Sequence, residues 1–288
     1  MRFDPRLTPA RPDLAAHHLQ GHVEAAHYVT GTSEILRLGV VNVHQSPVPD
    51  APVVTQALFG EEFVVYEVME GWAWGQLKHD HYVGYLPHIS LGPMGAPATH
   101  KVSVPMSFLY PTANMKMPPL LSLPMGALVH CVEFRDRFAR LDHLGWVWAD
   151  HLTALDQPHA DMVAVAEMFE HAPYLWGGRS QAGIDCSGLL QIALAQTGFH
   201  APRDTDLQQN ALGQDVPAQQ WDELKRGDLI FWRGHVGMMQ DEHRLLHANG
   251  HHMRVVSEPL TEARQRILTQ AGVDIAAVKR MAPDASAI

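Results

Sequence analysis

Two stretches of the chain close alike. Gly84-Tyr85-Leu86-Pro87-His88-Ile89-Ser90-Leu91 and Gly145-Trp146-Val147-Trp148-Ala149-Asp150-His151-Leu152 each run glycine, aromatic, aliphatic, then a short turn and a leucine. The second copy lies 61 residues after the first. A repeat at fixed offset constrains the fold strongly, because each copy must be a structural unit of that size. The runs inside the copies are β-type and short. They are 34–38, 62–68 and Trp72–Leu77 in the first, then 127–132 and 137–141 in the second, separated by Pro, Gly and Asp. The pattern predicts two small β-barrels in tandem, at 34–95 and 96–156, with a single β-sandwich of similar length as the alternative. Residues 1–33 are rich in Pro, Ala and His and read as an arm packed on the rest, with one short helix over 13–19.

Past Gln157-Pro158 the period changes. Met162, Val163, Val165, Ala166 and Phe169 have helical spacing within 160–171. A Pro-Tyr-Leu-Trp-Gly-Gly turn follows. Then comes an apolar run from Cys186 through Leu189, Leu190, Ile192, Ala193 and Leu194, which suits a buried helix, with Gly198 placed for a left-handed cap. Strand-like runs at 228–232, His235–Met239 and 244–248 complete the pattern. Helices followed by an antiparallel sheet make 157–288 an α+β domain.

Composition narrows the function. The chain has 288 residues, 46% of them hydrophobic and 18% charged, which excludes global disorder. Its net charge of −10 repels phosphate backbones, so no nucleic-acid partner is expected. No apolar run nears the roughly 20 residues that span a bilayer, and no export signal is legible at the N-terminus. With two cysteines, Cys131 and Cys186, the chain is expected to be cytoplasmic, with no membrane partner.

Cys186, His235 and His247 are the residues whose placement suggests chemistry. Cys186 opens a helix, where amide N–H groups and the dipole favour a thiolate, the nucleophile of acyl transfer. His235 opens a strand and is placed to act as its base. His247 lies 12 residues on, on the next strand, where it can orient His235. Each also has a plain structural reading: a buried small side chain, a solvated residue beside a turn, and a core histidine.

The surrounding segments resemble the NlpC/P60 family of bacterial cell-wall cysteine peptidases. They are Pro173-Tyr174-Leu175-Trp176-Gly177-Gly178, Asp185-Cys186-Ser187-Gly188, Pro202-Arg203-Asp204-Thr205-Asp206-Leu207-Gln208, 224–232, His235-Val236-Gly237-Met238 and Leu246-His247-Ala248-Asn249-Gly250. All six occur in family order with family spacing. The resemblance implies a papain-like α+β domain with Cys186 as nucleophile, His235 as base and His247 as orienting residue. It also implies that Tyr174, Trp176, Ser187, Asp204 and Thr205 line the substrate groove.

The two N-terminal repeats resemble bacterial SH3-like domains, a looser match resting on Trp72, the glycine–aromatic endings and the domain order. The whole layout is similar to the subgroup that cleaves γ-D-glutamyl–diamino acid bonds in small muropeptides. That likeness implies that Asp185 and a tyrosine of the first repeat meet the free amine of an N-terminal L-Ala. Tyr82 is the first candidate for that tyrosine and Tyr85 the second. Glu61 is open to two readings, a second acid toward that amine or, the plainer one, a solvated surface charge, and Cys131 reads as inert.

The expected activity is therefore a cytoplasmic cysteine peptidase, with a muropeptide as partner and no cofactor. Histidine clusters such as 17–18, 79–81 and 251–252 lack convergent metal-ligand spacing, so no metal is expected. The rival readings are an amidase or acyltransferase of the same fold, and a non-catalytic wall-binding module.

Overall fold

A computed structural model describes residues 3–281. It divides into two compact units, Met1–Leu155 and Asp156–Ile288. Among the described residues no helix is long and apolar enough to cross a membrane.

The first unit is all β apart from single 3-10 turns. Residues 32–93 form a seven-stranded antiparallel sheet. Its strand order is Val53–Leu58, Val40–His44, Val83–Pro87, Trp72–Leu77, Glu62–Met69, Thr32–Leu36 and Leu91–Pro93. Alternation along Glu62–Met69 sends Phe63 and Val65 inward, where they join Leu36, Val43, Ala73, Leu77 and Leu86. Residues 100–154 form three smaller antiparallel sheets around Val102, Leu109, Leu123, Val129, Leu141 and Val147. Phe59, from the end of a strand in the first sheet, is buried in this second core. The repeat recurs in the elements: a strand, a 3-10 turn and a three-residue strand close each half. His88–Ser90 and Leu91–Pro93 correspond to Ala149–His151 and Leu152–Ala154 at the same 61-residue offset.

The arm is stitched onto the first sheet. Val83 donates its N–H to the Arg6 carbonyl at 2.8 Å, and Gln76 donates its amide to the Leu7 carbonyl at 2.9 Å. Arg11 lies 4.2 Å from the centre of the Trp74 ring and reaches Glu67 and Asp13 at 2.7 and 2.8 Å. The helix expected over 13–19 does not form. Leu14–Ala16 is a strand parallel to His27–Val29, and only His17–Leu19 turns, as one 3-10 turn. The cause is burial on all sides: Leu14, Ala15 and Ala16 are each covered, whereas a surface helix would hide one stripe.

The second unit is α+β. Helix α1, Met162–Glu167, is shorter than its spacing suggested; Asp161 caps it by accepting from the Val163 N–H at 2.8 Å. Helix α2, Cys186–Gln196, has ten of its eleven residues buried, which accounts for its almost unbroken apolar run. Gly198 beyond it has φ of 87°, the left-handed value expected there. Helix α3 spans Thr205–Ala211 and helix α4 Leu260–Ala271.

The sheet of this unit is antiparallel. It runs Gln214–Asp215, Ala277–Arg280, Leu229–Trp232, His235–Met239, Arg244–Asn249, Arg254–Pro259. Helix α2 packs on the two strands that carry His235 and His247. Its first turn comes close to the Gly177-Gly178 turn. A Cβ on Gly188 would stand 2.3 Å from the Gly178 carbonyl oxygen, so only glycine lets the helix start here.

Candidate active site

Cys186 begins α2 and is 8% exposed. Its sulfur receives the backbone N–H groups of Val236 and Ser187. Val236 follows His235 directly, so the start of that strand is brought to the thiol. His235 packs against Trp232, ring centres 5.7 Å apart, and its Nε2 lies 2.7 Å from His247 Nδ1. His247 is 1% exposed. Gly237 makes room for it, since a Cβ there would stand 3.1 Å from the His247 Cβ. The structure thus joins His235 to His247 and brings the start of the His235 strand to the Cys186 sulfur.

The electrostatics differ from the sequence expectation at the thiol. Burial, with Asp185 adding to it, pushes the Cys186 thiol up to about 12, although the two N–H groups and Arg203 pull the other way. Burial pulls His235 down to about 3, with His247 and Arg266 acting in the same direction against Glu258. Both shifts favour the uncharged forms, a thiol and a neutral imidazole. Desolvation thus opposes the thiolate that the helix terminus and the N–H groups favour.

Asp185 is held from several sides. It caps α2, accepting from the Gly188 N–H at 2.7 Å, and it accepts from the Gly177 N–H at 2.8 Å. Arg203 grips both its oxygens, at 3.0 and 2.7 Å, with the arginine side chain 1% exposed. Ser187 donates to Asp185 at 3.2 Å and accepts from Arg203 at 2.6 Å. Asp185 thus has one cationic partner, Arg203, within the chain itself. Gln208, fully buried, holds the Arg203 segment by donating to the carbonyls of Ser187 and Pro202.

The other expected groove residues divide. Tyr174 is half-buried near Cys186, Asp185 and Arg203, and burial raises its phenol well above the ordinary value. Trp176 is 69% exposed on the same turn. Asp204 and Thr205 begin α3 and are partly covered. In the first unit Tyr82 is buried among Phe63, Leu77 and Leu86, and its N–H bonds Asp80. Tyr85 accepts from Arg11 through its hydroxyl at 3.0 Å. Glu61 is not a solvated charge. It is 6% exposed and accepts the Leu58 N–H at 2.8 Å, closing a tight turn. Cys131 is a free, half-buried thiol, pushed up to about 11 by burial.

Two side chains that sequence reasoning missed lie behind His247. Glu258 accepts from its Nε2 at 2.7 Å, and Arg266 of α4 holds the same carboxylate. Burial alone would raise the Glu258 pKa. The His247 and Arg266 hydrogen bonds outweigh it and hold the group below the usual carboxylate range.

A thiol at a helix start, two linked imidazoles and backbone N–H groups around one sulfur are the parts that acyl transfer through a thioester needs. Residues 171–272 match the NlpC/P60 family, and residues 43–91 match the bacterial dipeptidyl-peptidase SH3 domain. The chain carries an NlpC/P60 domain and a bacterial SH3 domain, and is a hydrolase of the peptidase class. It is similar to a γ-D-glutamyl-L-lysine dipeptidyl-peptidase of Bacillus subtilis, 29% identical over 76% of this chain and 77% of that one. Dipeptidyl-peptidase 6 of Lysinibacillus sphaericus is 34% identical over 31% of this chain and 32% of its own length. A crystal structure of an NlpC/P60 family protein from Bacillus cereus shares the fold, with a TM-score of 0.72. It covers 86% of this chain and 99% of that one at 20% identity.

Proposed function

We propose that the protein is a cysteine peptidase that hydrolyses the γ-D-glutamyl–diamino acid bond of muropeptides, with meso-diaminopimelate or L-Lys as the diamino acid. The observation that carries this reading is the 2.7 Å bond between His235 and His247, on a strand whose next N–H, that of Val236, reaches the Cys186 sulfur, within a family-matched domain. His235 takes the Cys186 proton as the sulfur attacks the γ-carbonyl carbon, and returns it to the leaving amine. The backbone N–H groups of the first turn of α2 stabilise the oxyanion. Water, deprotonated by His235, then cleaves the thioester. His247 holds the ring of His235 throughout. Tyr174, Trp176, Ser187, Asp204 and Thr205 line the approach.

The preferred substrate in this reading begins with free L-Ala, as in peptides recycled in the cytoplasm. The support is the dipeptidyl-peptidase activity named for the relatives, which acts from a chain end, together with two free thiols suited to a reducing compartment. In this reading Asp185, next to Cys186 in the chain and held by Arg203, is still the acid that meets the free amine.

The test is incubation of L-Ala-γ-D-Glu-diaminopimelate and its L-Lys analogue with the protein and with its Cys186→Ala variant. Mass spectrometry should show L-Ala-D-Glu and the free diamino acid with the wild type alone. Undiminished turnover by the variant would sink the cysteine mechanism. The N-acetylated tripeptide, run in parallel, separates a chain-end enzyme from one that accepts sugar-linked peptides.

A further inference from the structure

The hydrogen-bond file that starts at His235 does not stop at His247. Glu258 lies on the neighbouring strand Arg254–Pro259, two positions beyond Val256, the partner of His247 across the sheet. It is 8% exposed. Its Oε1 stands 2.7 Å from His247 Nε2. Arg266 reaches back from α4 to hold both oxygens, at 2.6 and 2.5 Å.

An ionised carboxylate can only accept hydrogen bonds. Nε2 of His247 must therefore carry the proton on that side. The Asn249 amide nitrogen lies 3.0 Å from the same Nε2, but the shorter contact to a full negative charge decides the matter. A neutral imidazole protonated on Nε2 is an acceptor at Nδ1. His247 Nδ1 faces His235 Nε2 at 2.7 Å, so the proton between the two rings belongs to His235. That leaves His235 Nδ1 bare. A bare ring nitrogen is what a base needs to take a proton from a thiol.

We propose that Glu258 is a positioning residue that sets the tautomers of both imidazoles in turn, and that Arg266 fixes Glu258 for that purpose. The inference rests on the reading of Cys186 as nucleophile and His235 as base. Arg266 also matches the charge of Glu258, so what passes along the file is the direction of hydrogen bonds more than net charge. Without Glu258, His247 can carry its proton on Nδ1 and present a donor to His235. The His235 ring then loses its partner or turns its own proton toward the thiol.

Nitrogen NMR of the full chain labelled with 15N-histidine reads this directly, with His235 and His247 assigned by loss of signal in their own Gln variants. In the wild type both rings should be protonated on Nε2. Glu258→Leu should mix the His247 tautomers and lower kcat by about 10- to 100-fold, with KM within about twofold, as expected when general-base geometry is lost. Glu258→Gln should restore most of kcat and the wild-type tautomers, because its amide oxygen still accepts.

A wild-type His247 protonated on Nδ1 overturns the proposal, and this measurement needs no variant to fold. So does a folded Glu258→Leu protein with wild-type kcat, or with wild-type tautomers. The tautomer readout is independent of turnover. Peptidase activity surviving in Cys186→Ala would therefore defeat the proposed function while leaving the hydrogen-bond file to be judged on the spectra.

Discussion

Two buried carboxylate–arginine pairs serve the same thiol, and they do different work. Asp185–Arg203 lies at the start of α2, and every donor on Asp185 is a group that keeps its proton near neutrality: two backbone N–H groups, a serine hydroxyl and a guanidinium. Within the chain, that pair fixes geometry. It ties the Gly177 turn, the helix start and the Arg203 segment into one piece. Glu258–Arg266 has a titratable imidazole as third partner. The same ion-pair chemistry then decides where a proton resides. What an ion pair does in a site is set by the third group it touches.

The largest effect that separates the two pairs is on folding. Arg203→Ala leaves Asp185 buried at 6% exposure without its cation, and breaking a buried pair on one side costs about 3–5 kcal/mol. Arg266 is 17% exposed in its side chain, so water can take over part of its role, and Arg266→Ala should cost clearly less. Urea unfolding of both variants checks the order. Equal losses would mean that both pairs are simply structural.

Next in size is the loss of turnover within the second pair's file. His235→Ala should lower kcat by at least ~10²-fold, from removal of the base. His247→Ala should cost less, because it removes an orienting group, and His247→Gln should recover part of the loss. Steady-state kinetics on the tripeptide resolves the three. If the His247 variants turn over like the wild type, the orienting role lies elsewhere and the contrast between the pairs falls.

The reactivity of the thiol is the third measure. With Cys186 raised toward 12 by burial and His235 lowered toward 3, both rest uncharged between pH 6 and 8. Alkylation by iodoacetamide should therefore rise about tenfold per pH unit over that range, since it follows the thiolate fraction, which grows tenfold per unit while the pH lies far below the pKa. A plateau reached below pH 6 would show a preformed thiolate–imidazolium pair, and a helix terminus stronger than the desolvation.

How far the sequence revealed these parts depends on where each partner lies along the chain. Cys186, His235 and His247 sit inside contiguous motifs, and the strand spacing alone allowed the last two to meet. Arg203 lies in a motif of its own, yet its partner is 18 positions away across a helix start, and nothing local pairs them. Glu258 lies outside every motif. Only the register of two strands and the reach of α4 bring it to His247. In the arm, Leu14-Ala15-Ala16 has a helix-former composition, and burial on all sides overrides that weak preference. Glu61 looked solvated as one of two adjacent acids, but the turn after Leu58 needs an acceptor for its N–H. Helix α2 was legible because its burial is uniform.

The smallest expected effect tests whether the second pair's file is held from both ends. Gly237 lies on the strand of His235, facing the strand of His247, and its φ is compatible with alanine. An added Cβ would meet the Leu245 side chain at 2.8 Å and the Cβ of His247 at 3.1 Å. The tip of Leu245 can rotate aside. The His247 Cβ is tied to the backbone, so it must give by a few tenths of an ångström. Overpacking of this kind costs about 1–3 kcal/mol in stability. Since about 1 Å of misplacement can cost ~10²-fold in rate, a few tenths should cost several-fold in kcat. The shift acts on ring position alone, because Glu258 still sets the proton on Nε2. Gly237→Ala should therefore keep the wild-type tautomers in the nitrogen spectrum while kcat falls, the converse of the pattern expected for Glu258→Leu. A Gly237→Ala protein with altered tautomers would mean that ring placement, and not the Glu258–Arg266 pair, decides where the proton sits.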